Sequence, residues 1–107
     1  MTLDPWRGAE ANKRRPAVIV SNDGANSTAT RLGRGVVTVV PVAANVVRVY
    51  PFQVLLPASA TGLAQDSKAQ AEQVRSVAVE RVTARVGAVP RPLMAKLDEA
   101  LRLHLAM

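Results

Sequence analysis

With 107 residues, 49% of them hydrophobic, the chain holds one small core near the lower limit of comfortable self-sufficiency, so pairing with a second copy would help it. Fourteen Lys and Arg against eight Asp and Glu give a net charge of +6, which suits a polyanion but does not choose between RNA, DNA, an acidic protein segment and a lipid headgroup. The absence of cysteine excludes disulfides, thiol nucleophiles and zinc ribbons, and a single histidine excludes a multi-histidine metal centre, so neither a metal nor another cofactor is expected.

The apolar residues are mostly Val, Leu and Ala, with one each of Trp, Tyr and Phe, a composition that favours strands packed through branched aliphatic side chains. No apolar stretch is long enough to cross a bilayer, and Met1-Thr2-Leu3-Asp4-Pro5 lacks the basic and apolar regions of a secretion signal. A cytoplasmic protein without membrane contact is expected.

In chain order, basic Lys13-Arg14-Arg15 leads into the β-branched run Pro16–Ser21, a predicted strand left through the turn signal Asn22-Asp23-Gly24. Residues 22–35 are rich in Asn, Ser, Thr and Gly, carry Arg31 and Arg34, and read as a long surface loop. Val36–Val40 is the most hydrophobic strand, expected to be buried on both faces and to end at Pro41, which has no N–H for a ladder. A further strand is predicted over Val49–Leu56, and shorter ones over Lys68–Glu72, Ser76–Val79 and Ala84–Val89. Asp66, Ser67, Lys68 and Glu72 read as turn and surface groups, and Glu80-Arg81 as a solvated pair.

After Pro90-Arg91-Pro92, Leu93, Met94, Leu97, Leu101 and Leu105 recur at helical spacing, and His104 beside that stripe is expected to be a partly buried structural residue. Several antiparallel strands and one terminal helix predict a single domain over residues 1–107, an all-β to α+β small barrel or half-barrel with the helix packed on it.

The segment Arg7–Pro16 sets one carboxylate, Glu10, five residues before a cationic cluster. As pattern alone it is a solvated basic loop. As chemistry it is a phosphate site, where guanidinium groups clamp non-bridging oxygens and the carboxylate accepts a proton from a ribose hydroxyl. Trp6 beside Arg7 either stacks a base or covers the barrel mouth or a dimer seam.

Leu3-Asp4-Pro5, Gly8-x-Glu10, Lys13-x-Arg15-Pro16-Ala17-Val18-Ile19-Val20-Ser21 and Asn26 resemble the first half of the MazF/PemK/Kid family of bacterial toxins. Val40-Pro41, Tyr50-Pro51-Phe52-Gln53-Val54, Gln73-Val74-Arg75-Ser76-Val77 and Val86-Gly87 resemble later family segments in the right order, so the resemblance covers nearly the whole chain.

It implies an SH3-like antiparallel β-barrel of the CcdB/MazF type with a C-terminal helix. It also implies a homodimer that cuts single-stranded RNA sequence-selectively in a groove between subunits and is restrained by a cognate antitoxin. By the same resemblance Arg15 serves the scissile phosphate and Glu10 aligns with an acidic residue needed for activity, while Lys13, Arg14, Arg75 and Trp6 are expected to bind RNA. The reaction implied is metal-independent attack by the ribose 2′-hydroxyl, leaving a cyclic phosphate and a free 5′-hydroxyl.

Two departures stand out. Ala43-Ala44 follows the Val-Pro pair where the family usually has an active-site threonine, and a methyl group donates no hydrogen bond, so reduced activity is expected, with Thr38, Asn45 and Ser76 as candidate substitutes. Leu3-Asp4-Pro5 resembles only the end of the family's first strand, so about one strand is expected to be missing, with an exposed sheet edge. Two alternatives accompany the nuclease reading: a catalytically degenerate binder of RNA or antitoxin with the same fold, and a gyrase poison of the CcdB type.

Overall fold

The structure is a computed structural model that describes residues 2–7, 14–21, 31–32, 34–82 and 85–107; for residues 2–7 and 14 it describes the backbone alone. The strands are β1 (Thr2–Arg7), β2 (Arg14–Ile19), β3 (Val36–Ala43), β4 (Gln53–Leu56), β5 (Ser67–Gln70), β6 (Arg75–Ala78) and β7 (Gly87–Ala88). Two helices, α1 (Ala58–Thr61) and α2 (Arg91–Leu105), and two 3-10 turns, Ala71–Gln73 and Val79–Arg81, complete the described elements. All pairings are antiparallel, in the order β4-β5-β3-β2-β1-β7, with β6 also on β3. Among the described residues β4 and β7 end this path, so the expected barrel takes its open, half-barrel form.

β3 is the spine of the sheet. Its alternation sends Val40 and Val42 into a core with Val18, Val54, Leu56, Ala69, Leu97 and Ala100, and Val37 and Val39 into a second core with Ala17 and Val77. Burial on both faces is what its run of valines predicted. One edge of β3 pairs with β2 from Val39 to Pro41; the other pairs with β6 from Val36 to Val39 and then with β5 at Val42 and Ala43.

Pro41 does not end the strand, contrary to expectation. It sits where β6 has stopped and β5 has not begun, so its missing N–H leaves no gap in a ladder on that edge.

The predicted strand over Val49–Leu56 shrinks to Gln53–Leu56. Its first half is a turn around Pro51, in which Gln53 N donates to the Tyr50 carbonyl at 2.8 Å and Tyr50 N donates to Gln53 Oε1 at 3.1 Å. The Tyr50 and Phe52 rings stack across it with centroids 5.4 Å apart. The Lys68–Glu72 strand likewise ends at Gln70, where the chain tightens into a 3-10 turn. Of Ala84–Val89 only Gly87–Ala88 is a strand, and Ala84 lies outside the described residues. Most of the 22–35 loop, with Asn26, also lies outside them.

The start of the chain differs from expectation too. Thr2–Arg7 forms a six-residue strand paired with β2 from Leu3↔Val18 to Arg7↔Arg14, and β7 covers its other edge at Thr2 and Leu3. β7 thus covers part of the edge expected to be bare, at Thr2 and Leu3, and Leu3-Asp4-Pro5 lies within the strand.

Pro92 at the first turn suits α2, since the N–H it lacks would have no intrahelical partner, and Ala106 in the left-handed region closes the helix. Leu97 and Ala100 are buried, with Leu93, Met94 and Leu101 half-buried against the first core. The stripe stops there: Leu105 and His104 are exposed, so the histidine is not the partly buried residue its position suggested. No helix among the described residues is long and apolar enough to cross a membrane.

Gly87 fixes how β7 meets α1. A Cβ there would run into the Thr61 carbonyl oxygen, and Gly62 beside it takes φ 85°, a left-handed conformation that glycine adopts without strain. Replacing Gly87 with Ala is expected to lower stability by about 1–3 kcal/mol through overpacking, read as a reduced urea midpoint at unchanged slope. An unaltered midpoint would show that β7 and α1 separate freely.

Candidate functional site

A cleft of about 610 Å³ opens where β3 changes partners. Pro41, Val42 and Ala43 of β3 form its floor, Arg15 enters from β2, Arg75 from β6, and Gln70 and Gln73 from β5 and the turn after it. Ala44 and Asn45, the first residues after β3, form the remaining wall.

The ladders explain why two arginines far apart in sequence share this cleft. Arg75 pairs with Val39 on one edge of β3. On the other edge Ala17 pairs with Pro41, and running that register two residues further sets Arg15 level with Ala43. Both arginines are exposed.

Arg14 and Trp6 are described only by their backbones, which lie in β2 and β1. The β1–β2 register pairs Trp6 with Arg15 and Arg7 with Arg14. Glu10 and Lys13 lie outside the described residues.

Of the candidate substitutes for a threonine, Asn45 alone lines the cleft. Its Oδ1 accepts from Val47 N at 3.1 Å, so the group it can offer a phosphate is its amide N–H₂. Thr38 and Ser76 pair with each other further back along β3.

Behind the cleft lies a polar strip that the sequence did not reveal. Ser67 and Lys68, expected at the surface, are buried in β5. Lys68 Nζ donates to the Arg48 carbonyl at 2.8 Å. Glu72, also expected at the surface, is half-buried: Gln53 Nε2 donates to its Oε2 at 2.7 Å, while its Oε1 is buried without a hydrogen-bond partner among the described residues. The signal that could have found this strip is Lys68-Ala69-Gln70, a period of two in which Ala69 faces the core.

Among the described residues no group of three or more His, Asp or Glu side chains could hold a metal ion. What the cleft offers is positive charge, amide donors and a small apolar floor, an arrangement able to grip a phosphodiester and stabilise extra negative charge on it.

Comparison with known proteins agrees with that chemistry. Endoribonuclease MazF9 of Mycobacterium tuberculosis is 66% identical over 103 residues, which cover 96% of this chain and 87% of that protein. The solved structure of the Mycobacterium tuberculosis toxin MazF-mt6 superposes with a TM-score of 0.82 at 20% identity, covering 100% of this chain and 98% of that one. A mycobacterial endoribonuclease in complex with its cognate antitoxin gives a TM-score of 0.77 at 20% identity, covering 99% and 92%. Residues 1–105 match the family of PemK-like, MazF-like toxins of type II toxin–antitoxin systems, and to that family the chain belongs.

Proposed function

We propose that this endoribonuclease toxin cuts single-stranded RNA in the Arg15–Arg75 cleft by attack of a ribose 2′-hydroxyl on the adjacent phosphorus. The observation that carries the reading is the convergence of Arg15 and Arg75 on one cleft from opposite edges of β3. The new P–O bond to the 2′-oxygen forms as the bond to the 5′-oxygen breaks, leaving a 2′,3′-cyclic phosphate and a 5′-hydroxyl.

Arg15 holds the non-bridging oxygens as their charge grows, a role that suits a group which stays charged. Glu10 takes the 2′-hydroxyl proton, the departing 5′-oxygen takes a proton from water, and Lys13, Arg14, Arg75 and Trp6 bind the strand to either side. No metal takes part: the step needs only charge stabilisation and proton transfer.

The chain acts as one domain and as a homodimer in the cytoplasm, sequence-selectively, under the restraint of a cognate antitoxin. Support for these partners comes from the toxin–antitoxin family and from the related toxin solved with its antitoxin. Exposed Val47, Val49, Tyr50, Leu55 and Leu103 supply apolar surface for such contacts. The relatives' naming as endoribonucleases favours RNA cleavage over a gyrase-directed action. Ala43 on the cleft floor favours one second reading, a toxin fold that binds RNA or antitoxin but no longer cuts.

Two substitutions test this reading. Arg15→Ala is expected to reduce cleavage of a defined single-stranded RNA by about 100-fold or more at matched folded concentration, with little change in unfolding midpoint because the side chain is exposed. Equal cleavage would show that another group carries the phosphate. Ala43→Thr is expected to raise the rate by about tenfold or more by restoring a hydroxyl to the floor. An unchanged rate would show that Asn45 or another donor already fills that role.

A further inference from the structure

Lys68 is a buried cation that the reaction above leaves unused. It is only 8% exposed, and it stands between Ala43 of β3 and Leu55 of β4 in two adjoining ladders. Directly opposed residues on neighbouring strands turn to the same face, so Lys68 lies on the face that Ala43 and Gln70 present to the cleft.

Its ammonium donates to the Arg48 carbonyl, and Arg48 belongs to the loop of residues 44–52 whose first residues, Ala44 and Asn45, are a wall of that cleft. The far end of the loop is tied separately, by Tyr50 N on Gln53 Oε1 and by Gln53 Nε2 on Glu72. Among the described residues, the Lys68 bond is the nearer of these ties to Asn45. An ammonium is a costly group to bury, and an apolar side chain between Ala43 and Leu55 would suit the strand better. Its placement marks a role other than stabilising β5.

We infer that Lys68 is a positioning residue for cleavage: by holding the Arg48 carbonyl it sets the Ala44–Asn45 wall at its working distance from Arg15 and Arg75. The inference rests on RNA being cut in this cleft. Position matters more here than in a site with a threonine, because Ala43 offers no donor and Asn45 is the donor left on that side. A reacting group or donor displaced by about 1 Å costs on the order of 100-fold in rate.

The test compares wild type, Lys68→Met and Lys68→Arg on one defined RNA, at matched folded concentration. Three quantities are read: single-turnover cleavage at saturating RNA, binding of the same strand with a 2′-deoxy sugar at the scissile position, and thermal midpoint. Lys68→Met is expected to keep its midpoint within about 5 °C. Its saturated rate is expected to fall by about tenfold or more while binding changes by less than about threefold. Lys68→Arg, whose guanidinium can still donate to the Arg48 carbonyl, is expected to recover most of the rate.

A Lys68→Met chain that cuts as fast as wild type at saturation overturns the inference, as does a loss that merely follows the unfolded fraction or appears only in binding. A wild-type chain that leaves the RNA whole overturns the cleavage reading itself, whereas wild type and Lys68→Met cutting equally overturn only the role of Lys68.

Discussion

The site depends on a change of partners along one edge of β3. A strand of eight residues is longer than either β6 or β5, so its second edge is shared between them, and at the junction no neighbouring backbone claims Pro41. That vacancy in the pairing is what makes room for a cleft in an otherwise continuous sheet. It also lets a proline occupy the middle of a strand without orphaning a ladder partner. Arg15 and Arg75 converge because β2 and β6 flank the same stretch of β3, and the long loop after Ala43 provides the wall. Two of the fourteen basic residues thereby meet at one opening.

The two faces of β3 have different duties. The face carrying Val40 and Val42 packs against α2 through Leu97 and Ala100 and anchors the sheet. The other face starts apolar at Val37 and Val39 and ends at Pro41 and Ala43, where burial gives way to the cleft floor. The floor stands on packed valines, while the loop of residues 44–52 is held by individual hydrogen bonds, from Lys68 to the Arg48 carbonyl and from Tyr50 N to Gln53 Oε1. Such a division suits a site that needs a fixed phosphate position and a more adaptable surface for the bases beside it.

Much of this was legible in the residues. The valine run of β3 announces burial on both faces because nothing else explains five β-branched or apolar positions in succession, and the leucine spacing of α2 announces its packed side. Arg15 emerged from its place before Pro16 within a larger resemblance, not from charge alone. What stayed hidden depends on neighbours in space. Pro41 reads as a strand breaker until it is known that β6 ends before it and β5 begins after it. Lys68 and Glu72 read as surface groups because their partners, the Arg48 carbonyl and the Gln53 side chain, lie some twenty residues away in sequence. The strand at Thr2–Arg7 stayed hidden for the same reason: its ladder runs along β2, with β7 added only at Thr2 and Leu3.

The most direct measurement is the chemistry of the cut ends. Defined single-stranded RNA incubated with the wild-type chain in excess chelator should yield fragments ending in a 2′,3′-cyclic phosphate and beginning with a 5′-hydroxyl, as the proposed attack by the 2′-oxygen with charge stabilisation from arginines requires. Fragments with 3′-hydroxyl and 5′-phosphate ends, or cleavage that appears only when magnesium is restored, would contradict the reaction assigned to this cleft.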